Sequence, residues 1–164
     1  MSGKLRDMIT YRTATASDLP ALADLRWEHW SEDPHDSAIV DRDTFRHEFA
    51  QHVGPLLESG RMTFWLAVND GEIVANIVVE RIVKVPKPSK LDDGFGYVTN
   101  VHTREAFRNQ GIGGELLRHV QAWALEQDME MLVLWPAERS VPFYKRAGFH
   151  NTDAIEFEVR PYVG

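Results

Sequence analysis

The 164-residue chain has no cysteine. That excludes disulfides, thiolate nucleophiles and thiolate metal sites, and with them a disulfide-stapled secreted scaffold. Long apolar runs are also missing. No stretch approaches the roughly 20 residues that cross a bilayer, and the first residues carry no apolar leader core. No membrane partner is expected, and the expected location is cytoplasmic. Lys and Arg number 18 against 25 Asp and Glu, a formal net charge of −7. A surface so poor in positive charge is not built for nucleic acid. It favours a cationic partner such as an amine, although local donors, not net charge, decide whether an anion binds. No His-x-x-x-His pair with a supporting carboxylate occurs, His47 and His52 read as surface residues, and no metal is expected. No Gly-Lys-Ser/Thr follows a glycine loop, which excludes a P-loop. Gly111-Ile112-Gly113 lacks the third glycine at Rossmann spacing.

What is present suffices for one globular domain over 1–164: 43% of residues are hydrophobic and 26% charged, enough to bury a core. Met8–Arg12 reads as a strand. Ser17 or Asp18 can cap a following helix that tolerates Pro20 in its first turn and keeps Leu19, Leu22, Leu25 and Arg26, then Trp30, on one face. The helix closes on Trp27, Glu28, His29 and Trp30, before a polar loop of Ser31, Glu32, Asp33, Pro34, His35 and Asp36. The two indoles either wall an acceptor site, with the carboxylates drawing an amine, or pack into the core. A second helix spans about Asp41 to Leu57. Met62–Val68 and Glu72–Val83 form a hairpin around Asn69-Asp70-Gly71, residues that tolerate positive φ. The prolines of Val85–Gly94 break that strand into a loop, read as surface in preference to a substrate border.

The chain is organised around 96–127. Gly96–Thr103 is a strand rich in Tyr, Val and Thr. A turn over Arg104–Phe107 follows, then Arg108-Asn109-Gln110-Gly111-Ile112-Gly113-Gly114. Ile112, Leu116, Val120 and Trp123 or Ala124 recur at helical spacing. Glycines at a helix start expose unpaired N–H groups at the positive end of the macrodipole, which suits a phosphate or pyrophosphate. The same glycines also suit a bare tight turn. Met131–Trp135 reads as a short buried strand and Glu138–Arg146 as a helix stopped at Gly148. Ala154–Arg160 reads as a closing, alternating strand.

Arg108, Gly111 and Gly113 fill an Arg/Gln-x-x-Gly-x-Gly/Ala pattern after a strand and at a helix start. Downstream stand Leu132–Pro136 and Ser140-Val141-Pro142-Phe143-Tyr144-Lys145-Arg146-Ala147-Gly148-Phe149. Both segments, in this order and spacing, resemble the GCN5-related N-acetyltransferases, the GNAT superfamily. The likeness is strong over the C-terminal half and holds in outline over the N-terminal half. It implies an α+β fold: a mixed, mostly antiparallel sheet with a splayed parallel strand pair, flanked by about four helices. It implies acetyl-CoA as cosubstrate, without metal, and acetyl transfer to a primary amine of a small molecule or an amino terminus. By resemblance the backbone of Val101 and Thr103, with His102 between them, meets the pantetheine arm. The N–H groups from Arg108 through Asn109, Gln110, Gly111, Ile112 and Gly113 to Gly114 meet the pyrophosphate. Tyr144 matches the family's acid at the leaving thiolate; the alternative is a ring packed in the core. Ser140 stands where the family often has a cofactor-touching Asn. The base stays open among Glu80, Glu32, Asp33 and His29. Trp27, Trp30, Glu32 and Glu80 are the candidate acceptor residues. The resemblance leaves a homodimer open, and a non-catalytic acyl-CoA sensor of the same fold is the alternative function.

Overall fold

The computed structural model describes residues 8–32 and 37–155. Its described strands are β1 (Ile9–Thr13), β2 (Met62–Asn69), β3 (Glu72–Val83), β4 (Gly94–Thr103) and β5 (Leu132–Val133). Its helices are α1 (Leu19–Glu32), α2 (Arg42–Glu58), α3 (Ile112–Glu126) and α4 (Val141–Arg146). The strands form one sheet in sequence order, antiparallel throughout except for the parallel pair β4–β5. This is the expected mixed sheet with four flanking helices. No helix among the described residues is long and apolar enough to cross a membrane.

The local chemistry explains most boundaries. Asp70 (φ 48°) and Gly71 (φ 82°) close the β2–β3 hairpin in a two-residue loop of left-handed backbone. Asp41 caps α2, its Oδ1 accepting the Thr44 N–H at 2.8 Å. The entry to α1 differs from expectation. Neither Ser17 nor Asp18 caps it; both sit in a 3-10 turn over Ala16–Asp18 that runs into the helix. The Asp18 carboxylate turns back to accept the Thr15 N–H and the Arg12 guanidinium, each at 2.8 Å.

β3 is buried without a break from Ile73 to Val79 because both sheet faces are covered. On one face Leu22, Leu25 and Val53 of α1 and α2 meet Phe64, Leu66, Val68 and Val78. On the other, Ile112, Leu116, Leu117 and Val120 of α3 meet Ala75, Ile77, Val79, Val98 and Tyr144. Each such side chain contributes about 1.5–3 kcal/mol over its exposed state.

Two further expectations are corrected. β5 covers only Leu132 and Val133, half-buried, not 131–135; Trp135 is 67% exposed. The helix expected over 138–146 divides into a 3-10 turn at Glu138–Ser140 and α4, with Pro142 in the first turn. Ala154 and Ile155 carry no strand, and the rest of the expected closing strand lies outside the described residues. The loop after β3 is pinned by a buried carboxylate: Asp93 is 3% exposed, with Lys87 at 3.2 Å, Lys84 at 3.7 Å and Lys90 at 3.9 Å. Lys84 and Lys90 also pair with Glu130 and Asp128, just ahead of β5. The loop therefore lies where the parallel pair closes, away from where it opens.

Candidate active site

The pair β4–β5 is joined only at Gly96↔Leu132 and Tyr97↔Val133. Beyond Tyr97, β4 has no neighbour on that side among the described residues, which leaves backbone donors and acceptors on an open edge. A bulge deepens the opening. Asn76 pairs with His102 and Val78 with Thr99, so Asn100 and Val101 have no partner across on β3. Asn100 takes φ 48°, a conformation Asn tolerates, and its carbonyl accepts from Asn76 Nδ2 at 2.9 Å. Asn76 is 1% exposed, so this bond fixes the bulge from inside the core.

The glycine loop stands at the end of that edge. Asn109 (φ 59°) and Gly111 (φ 79°) are both left-handed, and Gly111 is the N-cap of α3. The amides of Gly111, Ile112, Gly113 and Gly114 precede the first intrahelical donor, since Glu115 N–H is the one that reaches Gly111 C=O. Ile112 anchors the turn with its side chain 1% exposed in the core. A Cβ on Gly113 would stand 3.4 Å from Thr103 Oγ1 and 3.8 Å from Phe143, so its bare face looks into the crevice between β4 and α4. Gly114 has open space beside it. Amides without intrahelical partners at a helix start, beside the splayed strands, have the chemistry that suits an anion. Gln110 reaches back to Ala106 C=O. The Arg108 side chain does not point into the glycine loop. Its Nε donates to Thr103 C=O at 2.7 Å, and its Nη2 donates to both Glu32 oxygens at 2.6 and 2.7 Å. The Arg108 N–H is bonded to Glu105 C=O.

From the α1 side, His29 and Glu32 reach the bulge. His29 Nδ1 lies 3.1 Å from Asn100 Oδ1, and its ring stacks on His102 with centroids 4.4 Å apart and planes 20° from parallel. With an amide oxygen facing Nδ1, the neutral ring carries its proton there and leaves Nε2 as an acceptor. Burial pushes the His29 pKa below its usual 6.5, the Asn100 bond opposes this, and Arg26 and Arg108 add to the lowering. His102 is 5% exposed and falls to about 4, through burial first and then the charges of His29, Arg108 and Arg104. Its Nε2 is buried without a hydrogen-bond partner, and Glu32 Oε1 stands 3.7 Å away. A ring neutral down to about that pH makes no ion pair with Glu32, so this contact is not a salt bridge at neutral pH. Burial raises the Glu32 pKa, but the Arg108 hydrogen bonds and nearby positive charge outweigh it, and the carboxyl ends below its usual value. Arg104 closes the layer through Glu28 at 2.9 Å and through Glu72.

From the other face comes Tyr144, 8% exposed in α4, its ring edge-on to Phe143 at 5.0 Å and Phe149 at 5.7 Å. Burial raises its phenol pKa, so the hydroxyl keeps its proton. Trp27 and Trp30 face α2, where Trp27 meets Phe45 at 5.6 Å. Glu80 is not brought to the site. It pairs with Tyr97 at the closed end of β4 and is held by Arg61 at 3.1 Å. Asp33 lies outside the described residues. Asn100 and Asn76 were missed by sequence reasoning; a lone Asn inside a Val- and Thr-rich strand is the signal that points to a bulge.

Residues 19–149 match the acetyltransferase (GNAT) family. No curated protein matches the chain. Among solved structures, a predicted acetyltransferase from Clostridium acetobutylicum, crystallised with acetyl-CoA, is 24% identical with a TM-score of 0.76, over 93% of this chain and 97% of that one. A GCN5-related N-acetyltransferase from Ralstonia eutropha JMP134 is 25% identical with a TM-score of 0.74, over 92% and 98%. Glucosamine-6-phosphate N-acetyltransferase from Arabidopsis thaliana shares the fold at 15% identity and a TM-score of 0.70, over 93% and 98%. With a splayed strand pair, a glycine-capped helix and a family match over most of its length, the chain belongs to the acetyltransferase (GNAT) family.

Proposed function

We propose that the protein is an acetyl-CoA-dependent N-acetyltransferase that acts on a primary amine by direct attack in a ternary complex. One observation carries it: the open edge of β4 meets the start of α3 at Thr103 and Gly113, with the neutral imidazole of His29 at its bulge on one face and the protonated phenol of Tyr144 in the core on the other. The solved neighbour crystallised with acetyl-CoA supports the choice of cosubstrate. The amides of Gly111 to Gly114, with Asn109 and Gln110, would hold the diphosphate. The Val101 and Thr103 backbone would hold the pantetheine amides as an added strand, with His102 turned inward between them. Acetyl-CoA supplies an acetyl group already activated as a thioester.

The chain's own residues supply the rest. His29 Nε2 accepts a proton from the acceptor ammonium, which frees the nitrogen lone pair for attack. The Val101 N–H, at the bulge, would donate to the carbonyl oxygen as it gains charge. Tyr144 gives its proton to the departing sulfur. Glu32 and Arg108 tie the end of α1 to the cradle and hold His29 in place.

A thiol-release screen over a panel of primary amines, with calorimetry for coenzyme A, tests the proposal. Binding with thiol release for at least one amine class is expected. Binding without release for any amine would leave an acyl-CoA sensor, and no binding would overturn the cradle. For the base, His29→Gln is expected to lower kcat/KM by roughly 100-fold. Wild-type activity falls on the acid side with an inflection below pH 6.5, where His29 protonates, and that limb should vanish in the variant. A wild-type acid limb in the variant would remove His29 from the chemistry.

A further inference from the structure

Arg26 stands apart among the cations of this protein. Three described arginines are not exposed: Arg26, Arg81 and Arg104. Arg81 donates to Asp92 at 2.8 Å, and Arg104 pairs with Glu28 and Glu72. Arg26 makes no hydrogen bond or ion pair with any described residue. A guanidinium carries five donors, and drawing it out of water without an acceptor is costly. Burial lowers its pKa, with no described carboxylate opposing it. Partly buried and without a described carboxylate, the guanidinium is open to an anion as its partner.

Its surroundings specify more. Arg26 lines a cavity of about 200 Å³ with Trp27, Trp30, Ile39, Val40 and Phe45. That is small beside ordinary ligand pockets of roughly 300–1,000 Å³. Trp27 contacts Trp30 at 5.3 Å and Phe45 at 5.6 Å, so the wall is aromatic. Arg26 is three residues before His29 and shares its face of α1. The two are close enough that the arginine's charge bears on the imidazole. The cavity lies on the α2 side of α1, within one helical turn of the base.

We infer that the acceptor is a small primary amine that also carries a carboxylate and an apolar, ring-sized side chain. The carboxylate pairs with Arg26, the side chain lies against Trp27, Trp30 and Phe45, and the amine reaches His29. This rests on the N-acetyltransferase reading and narrows its substrate. It runs against the bulk charge of −7, which favours cations. An amine with no acid group leaves Arg26 unpaired, and a polyamine brings like charge to it.

The test uses the full chain saturated with coenzyme A and two calorimetric probes, L-phenylalanine and L-phenylalaninamide, which differ only in the acid group. The acid should bind roughly 10- to 100-fold tighter than the amide, the range of a charge-assisted hydrogen bond. Arg26→Gln should erase that difference, and Arg26→Lys should restore part of it. Thermal unfolding checks the variants, which remove or move a charge that no described side chain balances. Equal affinities in wild type, a preference that survives Arg26→Gln, or binding of neither probe overturns the inference. Thiol release is read separately. An acid that binds through Arg26 but is not acetylated counts against the N-acetyltransferase reading and not against the site. Release with other amines alongside equal affinity for both probes does the reverse.

Discussion

Tyr144→Phe should lower kcat by roughly 100-fold or more, the usual worth of a positioned proton donor, and leave coenzyme A affinity unchanged. The substitution isolates one atom. The ring is wedged edge-on between Phe143 and Phe149 and belongs to the core cluster of α3, so a phenylalanine keeps the packing. Tyr144→Ala would confuse the result, because deleting a buried ring costs roughly 3–5 kcal/mol of stability. The end of α4 also stays in place: Gly148 (φ 90°) lets Phe149 N–H return to Tyr144 C=O at 3.1 Å. The hydroxyl is suited to donate because burial raises its pKa, so it is protonated at neutral pH. Steady-state kinetics at saturating acceptor, with calorimetry for coenzyme A, decides the matter. Unchanged turnover would assign the sulfur's proton to water and return Tyr144 to a packing role.

His102 should make the fold sensitive to mild acid. Its folded pKa of about 4 lies below the unfolded 6.5. A depressed pKa means that the unfolded chain binds the proton first as pH falls. Stability is therefore full above pH 6.5, declines below it, and stops declining on this account near the folded value. Between about pH 7.5 and about pH 5 the loss should be on the order of 2 kcal/mol. The physical cause is plain: the ring is 5% exposed, Nε2 has no hydrogen-bond partner, and His29, Arg104 and Arg108 oppose a second positive charge. Glu32 at 3.7 Å favours protonation but is already committed to Arg108. His102→Phe keeps a flat ring against His29 and cannot titrate. Urea unfolding should show a flatter pH profile for the variant over this window, with the remaining slope due to His29, whose pKa is shifted the same way. Parallel profiles for variant and wild type would show that His102 is not the acid-sensitive group.

Both results turn on neighbours that no spacing rule supplies. Tyr144 was nominated by its place before Gly148 and Phe149, yet its raised pKa comes from a pocket formed by α3 and α4 together. His29 stood among four candidate bases on chemistry alone. The Asn100 contact across 71 residues separates it from Glu80, which the β3 register carries to the closed end of β4. Arg108 fits the glycine-loop pattern, but its guanidinium is turned to Glu32 because the end of α1 lies within reach. In the sequence Arg26 is one member of the helical face that Leu19, Leu22, Leu25 and Trp30 also occupy. Only its partial burial beside Trp27 and Trp30, with no described carboxylate at hand, makes it distinctive.

Local physics settled the rest from the chain itself. Left-handed backbone at Asp70, Gly71, Gly111 and Gly148 admits few residue types, so the hairpin, the start of α3 and the end of α4 are written in single positions. The three- and four-residue spacing of Ile112, Leu116 and Val120 named the buried side of α3. Tertiary structure alone decided where β5 leaves β4, which groups meet at the bulge and how their proton affinities shift. Those depend on desolvation and on charges brought together from distant parts of the chain, and such sums have no period or motif by which a sequence can display them.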